Sequence, residues 1–396
     1  MNRYDGPMPK RQLFLLLSAL SLYACAVQAS SSAITSEQKQ HAVSASSLVK
    51  NSPALDLNGF STVEGIIPEL ADKRVIFIGE QHARFDHHLT QLEIIRRLHA
   101  LHPPLAIGME MFQQPFQYGL DEYLAGRFDE QAMLRATEYY QRWRMDYRNY
   151  APILRYAREH QLPLIALNIP TELTRKLGQV GLEGLTEEER QQLPDNIVPA
   201  DEAYRQRIKS IFSHHPNHGG KRFEHFLEAQ LSWDEGMAER AATFLEQHPQ
   251  HKLVIIAGNQ HIAWGTAIPQ RLQRRLPVPD VSILSSWDGA IGPGLADFLL
   301  MPSKRSLPPA GKMGVVLENK NNRVTITSCA KDSACSAAGI KVRDRITAIN
   351  SEPVKDMADV RLALWDKQPG DTIKIDIERK RLLLPEKNLS YTLILK

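Results

Sequence analysis

Residues 73–98, KRVIFIGEQHARFDHHLTQLEIIRRL, constrain the fold more than any other stretch of the chain. Residues 75–78 form an unbroken run of β-branched and aromatic side chains, the composition of a strand buried on both faces. Gly79 ends the run, and Glu80, Gln81 and His82 follow it. From Phe85 onward, Leu89, Leu92, Ile94, Ile95 and Leu98 recur at helical spacing. The stretch therefore reads as strand, polar turn and helix, with Glu80 and His82 on the turn. In open parallel α/β sheets, ligands bind outside the carboxyl ends of the strands.

The same alternation continues from about residue 55 to residue 300. Candidate strands at 75–78, 105–111, 162–167, 253–257 and 281–284 are separated by longer helical stretches. This is the signature of an α/β fold, a mainly parallel β-sheet flanked by helices. Right-handed crossovers bring the residues that trail each strand to one edge of the sheet. Those residues are Glu80 and His82, then Glu110, then Asn168, then Asn259 and His261. Each alone has an ordinary explanation as a helix cap, a solvated charge or a hydrogen-bonded imidazole. Together, two carboxylates and two imidazoles at one rim suit a divalent metal or acid–base chemistry.

Thr186 followed by Glu187, Glu188 and Glu189 predicts a helix start. Residues 223–245 predict an amphipathic helix with Phe226, Ala229, Trp233, Met237 and Phe244 inside and Asp234 and Glu235 as polar interruptions. His214, His215, His218 and His225 surround Gly219-Gly220, either as a surface loop or as a metal patch. The aromatic and arginine-rich stretch 139–150 fits a helix packed into the core. It equally fits the wall of a pocket for a flat apolar ligand carrying acidic groups.

A net charge of +3 over 396 residues, with no basic block, gives no footing for nucleic acid. Arg3, Lys10 and Arg11 precede the apolar run 13–22, too short to span a bilayer and suited to a signal peptide. Leu22-Tyr23-Ala24-Cys25 resembles a lipoprotein box, with Cys25 lipidated and the signal ending there; cleavage after Ala29 is the alternative. Residues 26–55, rich in Ser and Ala, read as a flexible tether. Export leads to an oxidising compartment, in which Cys329 and Cys335 are expected to pair, the alternative being two buried thiols. Residues 302–311 read as a linker between an α/β domain at 56–301 and a small mainly-β domain at 312–396.

Several motifs occur in order: Gly79-Glu80-Gln81-His82, Glu110 in GMEMF, Trp143 with Tyr150-Ala151-Pro152, Asn168-Ile169-Pro170, Trp233-Asp234-Glu235-Gly236 and Gly258-Asn259-Gln260-His261. Together they resemble the ChaN family of the haem-binding uptake and Tiki superfamily. The resemblance implies a haem- or iron-binding lipoprotein whose cofacial haems are held in a homodimer interface by a Tyr. Tyr150 and Tyr147 are the candidates, with His82 and His261 as further cofactor contacts. The wider superfamily implies an alternative, a metal-dependent hydrolase or protease using Glu80, His82, Glu110 and His261 with Mn, Co or Zn.

Met313-Gly314-Val315-Val316, with residues 336–340 (SAAGI) and 344–350 (DRITAIN), resembles a periplasmic PDZ domain, the first four residues forming its carboxylate-binding loop. Such a domain takes a partner's C-terminal peptide as an added strand, and residues 360–365 would lie on the helix flanking that groove. The expectation is therefore an exported haem- or iron-binding protein. It would sit on the periplasmic side of the outer membrane through its lipid, or be soluble in the periplasm, and dock to a peptide.

Overall fold

The computed structural model describes residues 59–101, 104–213, 220–381 and 384–396. Cys25, the signal segment, the tether, His214, His215 and His218 lie outside the described residues. His225 lies within them, its Nδ1 3.1 Å from the carbonyl of Gln179.

Helix α1 (Val63–Leu70) leads into β1 (Val75–Glu80), α2 (Phe85–Leu101) and β2 (Leu105–Gln113). Four short helices follow: α3 (Gln117–Leu124), α4 (Glu130–Ala136), α5 (Tyr139–Arg142) and α6 (Ala151–Glu159). After β3 (Leu164–Asn168) come α7 (Thr171–Val180), α8 (Glu187–Arg190), α9 (Glu202–Phe212) and the long α10 (Gly220–Gln247). The domain finishes with β4 (Lys252–Gly258), α11 (Ile268–Arg275), β5 (Asp280–Ser285) and β6 (Phe298–Leu300). All six strands are parallel, in the order β3-β2-β4-β1-β5-β6.

The five expected strands are all present, each parallel to its neighbours. The sixth, β6, was not expected: three half-buried residues give no run that stands out from a loop. Along β1 the side chains alternate between two layers. Ile76 and Ile78 join Leu92, Ile95 and the buried tyrosines, whereas Val75 and Phe77 join Met237, Ala241 and Leu272. Helix α8 starts as expected, with the Thr186 and Glu189 side chains each satisfying the other's backbone N–H.

The polar interruptions of α10 are buried rather than solvated. Glu235 accepts from Arg274 at 2.7 Å, from Arg275, and from the backbone N–H of Val198 at 3.1 Å. Arg271 stands 3.3 Å away. One carboxylate thus ties α10 to α11 and to the segment before α9.

The second domain holds β7 (Val315–Lys320), β8 (Arg323–Cys329), α12 (Ala334–Ala338), β9 (Arg345–Ile349), β10 (Glu352–Pro353), α13 (Met357–Leu364), β11 (Thr372–Arg381) and β12 (Leu384–Ile394). Its antiparallel sheet runs β12-β11-β9-β8-β7, with β10 beside β9, so β7 is an edge strand. Cys329 and Cys335 are joined by a disulfide that ties the end of β8 to α12, with their Cα atoms 5.9 Å apart. Helix α13 serves two cores. Val360 lies in the second domain's interior, while Ala358 and Leu362 pack with the α/β core.

Replacing Glu235 with Ala leaves two buried or half-buried guanidinium groups without their acceptor. It is expected to cost about 3–5 kcal/mol in urea unfolding, whereas Glu239→Ala, on a half-buried neighbour of the same helix, should cost far less.

Candidate functional site

Strand order builds the site. β4 lies between β2 and β1, so Glu80 and Gly258, which end β1 and β4, lie beside Glu110, which directly follows the last β2 residue paired with β4, although β2 runs on to Gln113. Glu80 is the last residue of β1 and not, as expected, part of the turn; His82 is on the turn.

Glu80 is fully buried and saturated with donors. One oxygen accepts from the Tyr150 hydroxyl at 2.7 Å and stands 2.9 Å from His82 Nδ1. The other accepts from Gln91 Nε2 at 3.0 Å and stands 3.1 Å from His88 Nδ1. Burial alone would raise the Glu80 carboxyl, but the His88 charge and the hydrogen bonds from His82 and His88 hold it far below the usual carboxylate range. These donors favour its anionic form.

Glu110 takes the Gly258 N–H on one oxygen at 2.7 Å and lies 3.4 Å from His261 Nε2 with the other. His261 Nδ1 is 2.6 Å from Asp234, whose second oxygen accepts from the Tyr204 hydroxyl at 2.6 Å. Burial would lower the His261 imidazole; Glu110 and Asp234 overcome it and raise it to about 9. Burial likewise opposes protonation of His82, and the Glu80 hydrogen bond and the Glu110 charge raise it.

Gly258 joins the two halves. A Cβ there would fall 2.9 Å from His82 Cε1 and 3.7 Å from a Glu110 oxygen, so the His82 ring lies against bare backbone. Trp143 meets the His82 ring edge-on at 4.7 Å between centroids and donates its indole N–H to the Tyr150 oxygen at 3.3 Å. Glu80, His82, Glu110 and His261 therefore converge. The two trailing asparagines are braces: Asn168 donates to the Glu110 carbonyl at 2.9 Å, and Asn259 to the carbonyls of Ser285 and Ser286 at 3.1 and 2.8 Å.

Sequence reasoning missed Asp234, Tyr204, His88 and Gln91 as members. Asp234 was detectable as a charge on the apolar stripe of α10. His88 and Gln91 share one face of α2, where polar residues three apart look solvated until the fold covers them.

The four rim residues meet as two carboxylate–imidazole pairs, His82 hydrogen-bonded to Glu80 at 2.9 Å and His261 standing 3.4 Å from Glu110. Among the described residues, no group of three or more His, Cys, Asp or Glu side chains is placed to hold a metal ion. Tyr150 and Tyr147 are both fully buried, with their hydroxyls donated to Glu80 and Glu130 at 2.7 and 2.9 Å. Burial and the adjacent carboxylates push both phenols well above their ordinary range.

In the second domain, Gly314 has φ +71°, and a Cβ there would fall 2.3 Å from Ser333 Cβ, so the loop before β7 needs glycine. The Met313 and Gly314 carbonyls are held by the N–H groups of Cys335 and Ala330 at 2.9 and 2.8 Å. Met313 is buried, whereas Val316 on the edge strand is 60% exposed.

Residues 66–272 match the family described as haem-binding uptake, Tiki superfamily, ChaN, and residues 311–385 match the PDZ domain family. The chain belongs to the ChaN family. The first match contains every residue of the rim cluster, and the second contains the Gly314 loop.

A solved structure of cofacial haem binding to ChaN of Campylobacter jejuni is 19% identical, with a TM-score of 0.49, and covers 61% of this chain and 91% of that one. The PDZ domain of a carboxy-terminal protease from Vibrio cholerae, in complex with peptide, is 16% identical with a TM-score of 0.20, covering 22% of this chain and 94% of its own. Among curated proteins, RETICULATA-RELATED 5, chloroplastic, of Arabidopsis thaliana is 24% identical over 234 residues. This covers 53% of the ChaN-family chain and only 30% of the Arabidopsis protein's length.

Haem, which the family implies, fits this donor set through an imidazole. His82 turns Nδ1 to Glu80, the usual carboxylate partner of a metal-bound histidine, which leaves Nε2 on the far side of a ring whose side chain is 30% exposed. Beside His261, Trp233 Nε1 and Arg207 Nε and Nη2 are buried without a partner, and such donors suit a ligand's carboxylates.

His261 binds its proton more tightly in the folded chain than in the unfolded one. Its contribution to stability is therefore complete below about pH 6.5 and is lost as pH rises through about 9. Urea unfolding between pH 6 and 10 should show this alkaline loss in the native protein and a flatter profile in His261→Gln.

Proposed function

We propose that this ChaN-family protein binds haem on its α/β domain, in iron uptake or haem handling, while its PDZ domain docks it to the C-terminal peptide of a membrane or periplasmic partner. The observation that carries this reading is the span of the haem-binding family, which covers the whole carboxylate–imidazole rim. In this reading the protein is exported and held at the periplasmic side of the outer membrane by a lipid on Cys25. A second copy of the chain would face the haem.

Each residue then has a task. His82 presents Nε2 to the iron, Glu80 fixes its tautomer and ring orientation, and Trp143 walls one side of the ring. Arg207 and Trp233 meet the propionates. Bound haem supplies a redox-active iron held in a flat apolar macrocycle.

A second reading is hydrolysis by the same rim, favoured by one specific observation: two imidazoles, each hydrogen-bonded to a carboxylate, lie close enough for the charge of His261 to act on His82. His82 would exchange protons with a substrate while Glu80 orients it, and a divalent metal such as Mn, Co or Zn would require Glu80 and Glu110 to release their present donors.

Haemin titration separates these readings. A Soret band should appear, His82→Ala should weaken binding by at least about tenfold, and Tyr150→Phe and Tyr147→Phe should leave the ligated spectrum in place. A chelator-sensitive esterase or protease activity lost in Glu80→Gln, with no Soret band, would instead establish the second reading. Palmitate labelling lost in Cys25→Ser is the expected result for the lipid.

A further inference from the structure

The loop that carries Trp143 and Tyr150 into the site is held from the other domain. Arg361, on α13, donates Nη1 to the Arg144 carbonyl at 2.7 Å. Arg144 directly follows Trp143 and has φ +67°, a conformation a non-glycine residue keeps only when its surroundings impose it. Trp365, just past the end of α13, meets the Tyr147 ring edge-on at 5.3 Å, and Tyr147 in turn packs on Tyr139 at 5.6 Å. Ala358 and Leu362 of the same helix are buried in the α/β core. The Arg148 Nη1 donates to the Pro308 carbonyl at 3.0 Å, fastening the segment between the domains to the same loop. A cavity of about 330 Å³, bordered by Tyr140, Arg144, Arg361 and Trp365, leaves this seam room to shift.

From this placement we infer that the PDZ domain is a structural part of the α/β site. Through Arg361 and Trp365, α13 positions residues 143–150, and so sets where the Trp143 indole and the Tyr150 hydroxyl stand against His82 and Glu80. Arg361 and Trp365 are positioning residues: neither touches the rim, and both act through the loop. The inference does not depend on which ligand the rim takes.

Hydrogen exchange on the full chain tests it. Arg361→Ala and Trp365→Ala should speed amide exchange across residues 143–150 by about tenfold, with exchange in β1 and β11 unchanged. Arg361→Lys and Trp365→Phe, which keep a donor and a ring, should restore slow exchange there. Unchanged exchange at 143–150 in both alanine variants would overturn the inference. If Trp365→Ala does not fold, Arg361→Ala carries the test, because its side chain is exposed. Haemin affinity measured on the same variants should fall together with the exchange. Faster exchange with unaltered haemin affinity would place haem away from the rim and leave the positioning role of α13 standing.

Discussion

The α/β domain is organised around one buried anion. Glu80 accepts from the turn that follows it (His82), from the next helix (His88 and Gln91) and from a loop seventy residues on (Tyr150), which it ties to β1. A carboxylate buried without partners would take up a proton or unfold the site. With four donors it remains charged and gives the segment around His82 a single conformation. The His82 ring orientation, the packing of Trp143 and the burial of Tyr150 all follow from that one group. Gly258 matters for the same reason, since only a residue without a side chain lets the His82 ring rest between Glu80 and Glu110.

Much of this was legible in the residues. The apolar runs identified five strands because a strand buried on both faces needs no alternation, and Glu80, Glu110 and His261 were recognisable as polar residues placed where such strands end. What could not be read was the pairing. That Glu110 meets His261 follows from β4 lying beside β2, and strand order leaves no trace in a single sequence. The tyrosines illustrate the same limit from the other side. Tyr147 and Tyr150 sit in a stretch rich in aromatics and arginine, which suggests a ligand, yet their hydroxyls are directed into the core by carboxylates more than fifteen residues away. Asp234 was visible only as an interruption of an apolar stripe. A charge there signals either a solvated notch or an internal partner, and the partners, His261 and Tyr204, come from other elements.

Charge balance explains why so many ionisable groups can share one small volume. Glu80, Glu110 and Asp234 lie against His82, His88 and His261 in four carboxylate–imidazole contacts, and these outweigh the repulsion of His82 by His261. Burial disfavours the charged form of each imidazole and an adjacent carboxylate favours it, so removing one member shifts the others. A rim built in this way is rigid before any ligand arrives, which lowers the ordering a ligand must impose.

The second domain changes what that rigidity means. Helix α13 contributes Val360 to the interior of the second domain and Ala358 and Leu362 to the interior of the α/β domain, so the two cores share one element. A helix packed on both sides cannot be displaced by one core without being felt by the other, because close-packed interiors pass on displacement instead of absorbing it. A displacement of α13 would therefore be passed to the loop bearing Trp143 and Tyr150, which Arg361 and Trp365 hold. The linker fits this arrangement: it is fastened at Pro308 to Arg148 and at Arg305 to Asp86, and Arg135 of α4 meets Glu352 of β10 at 2.9 Å, so several contacts besides α13 tie the two domains together.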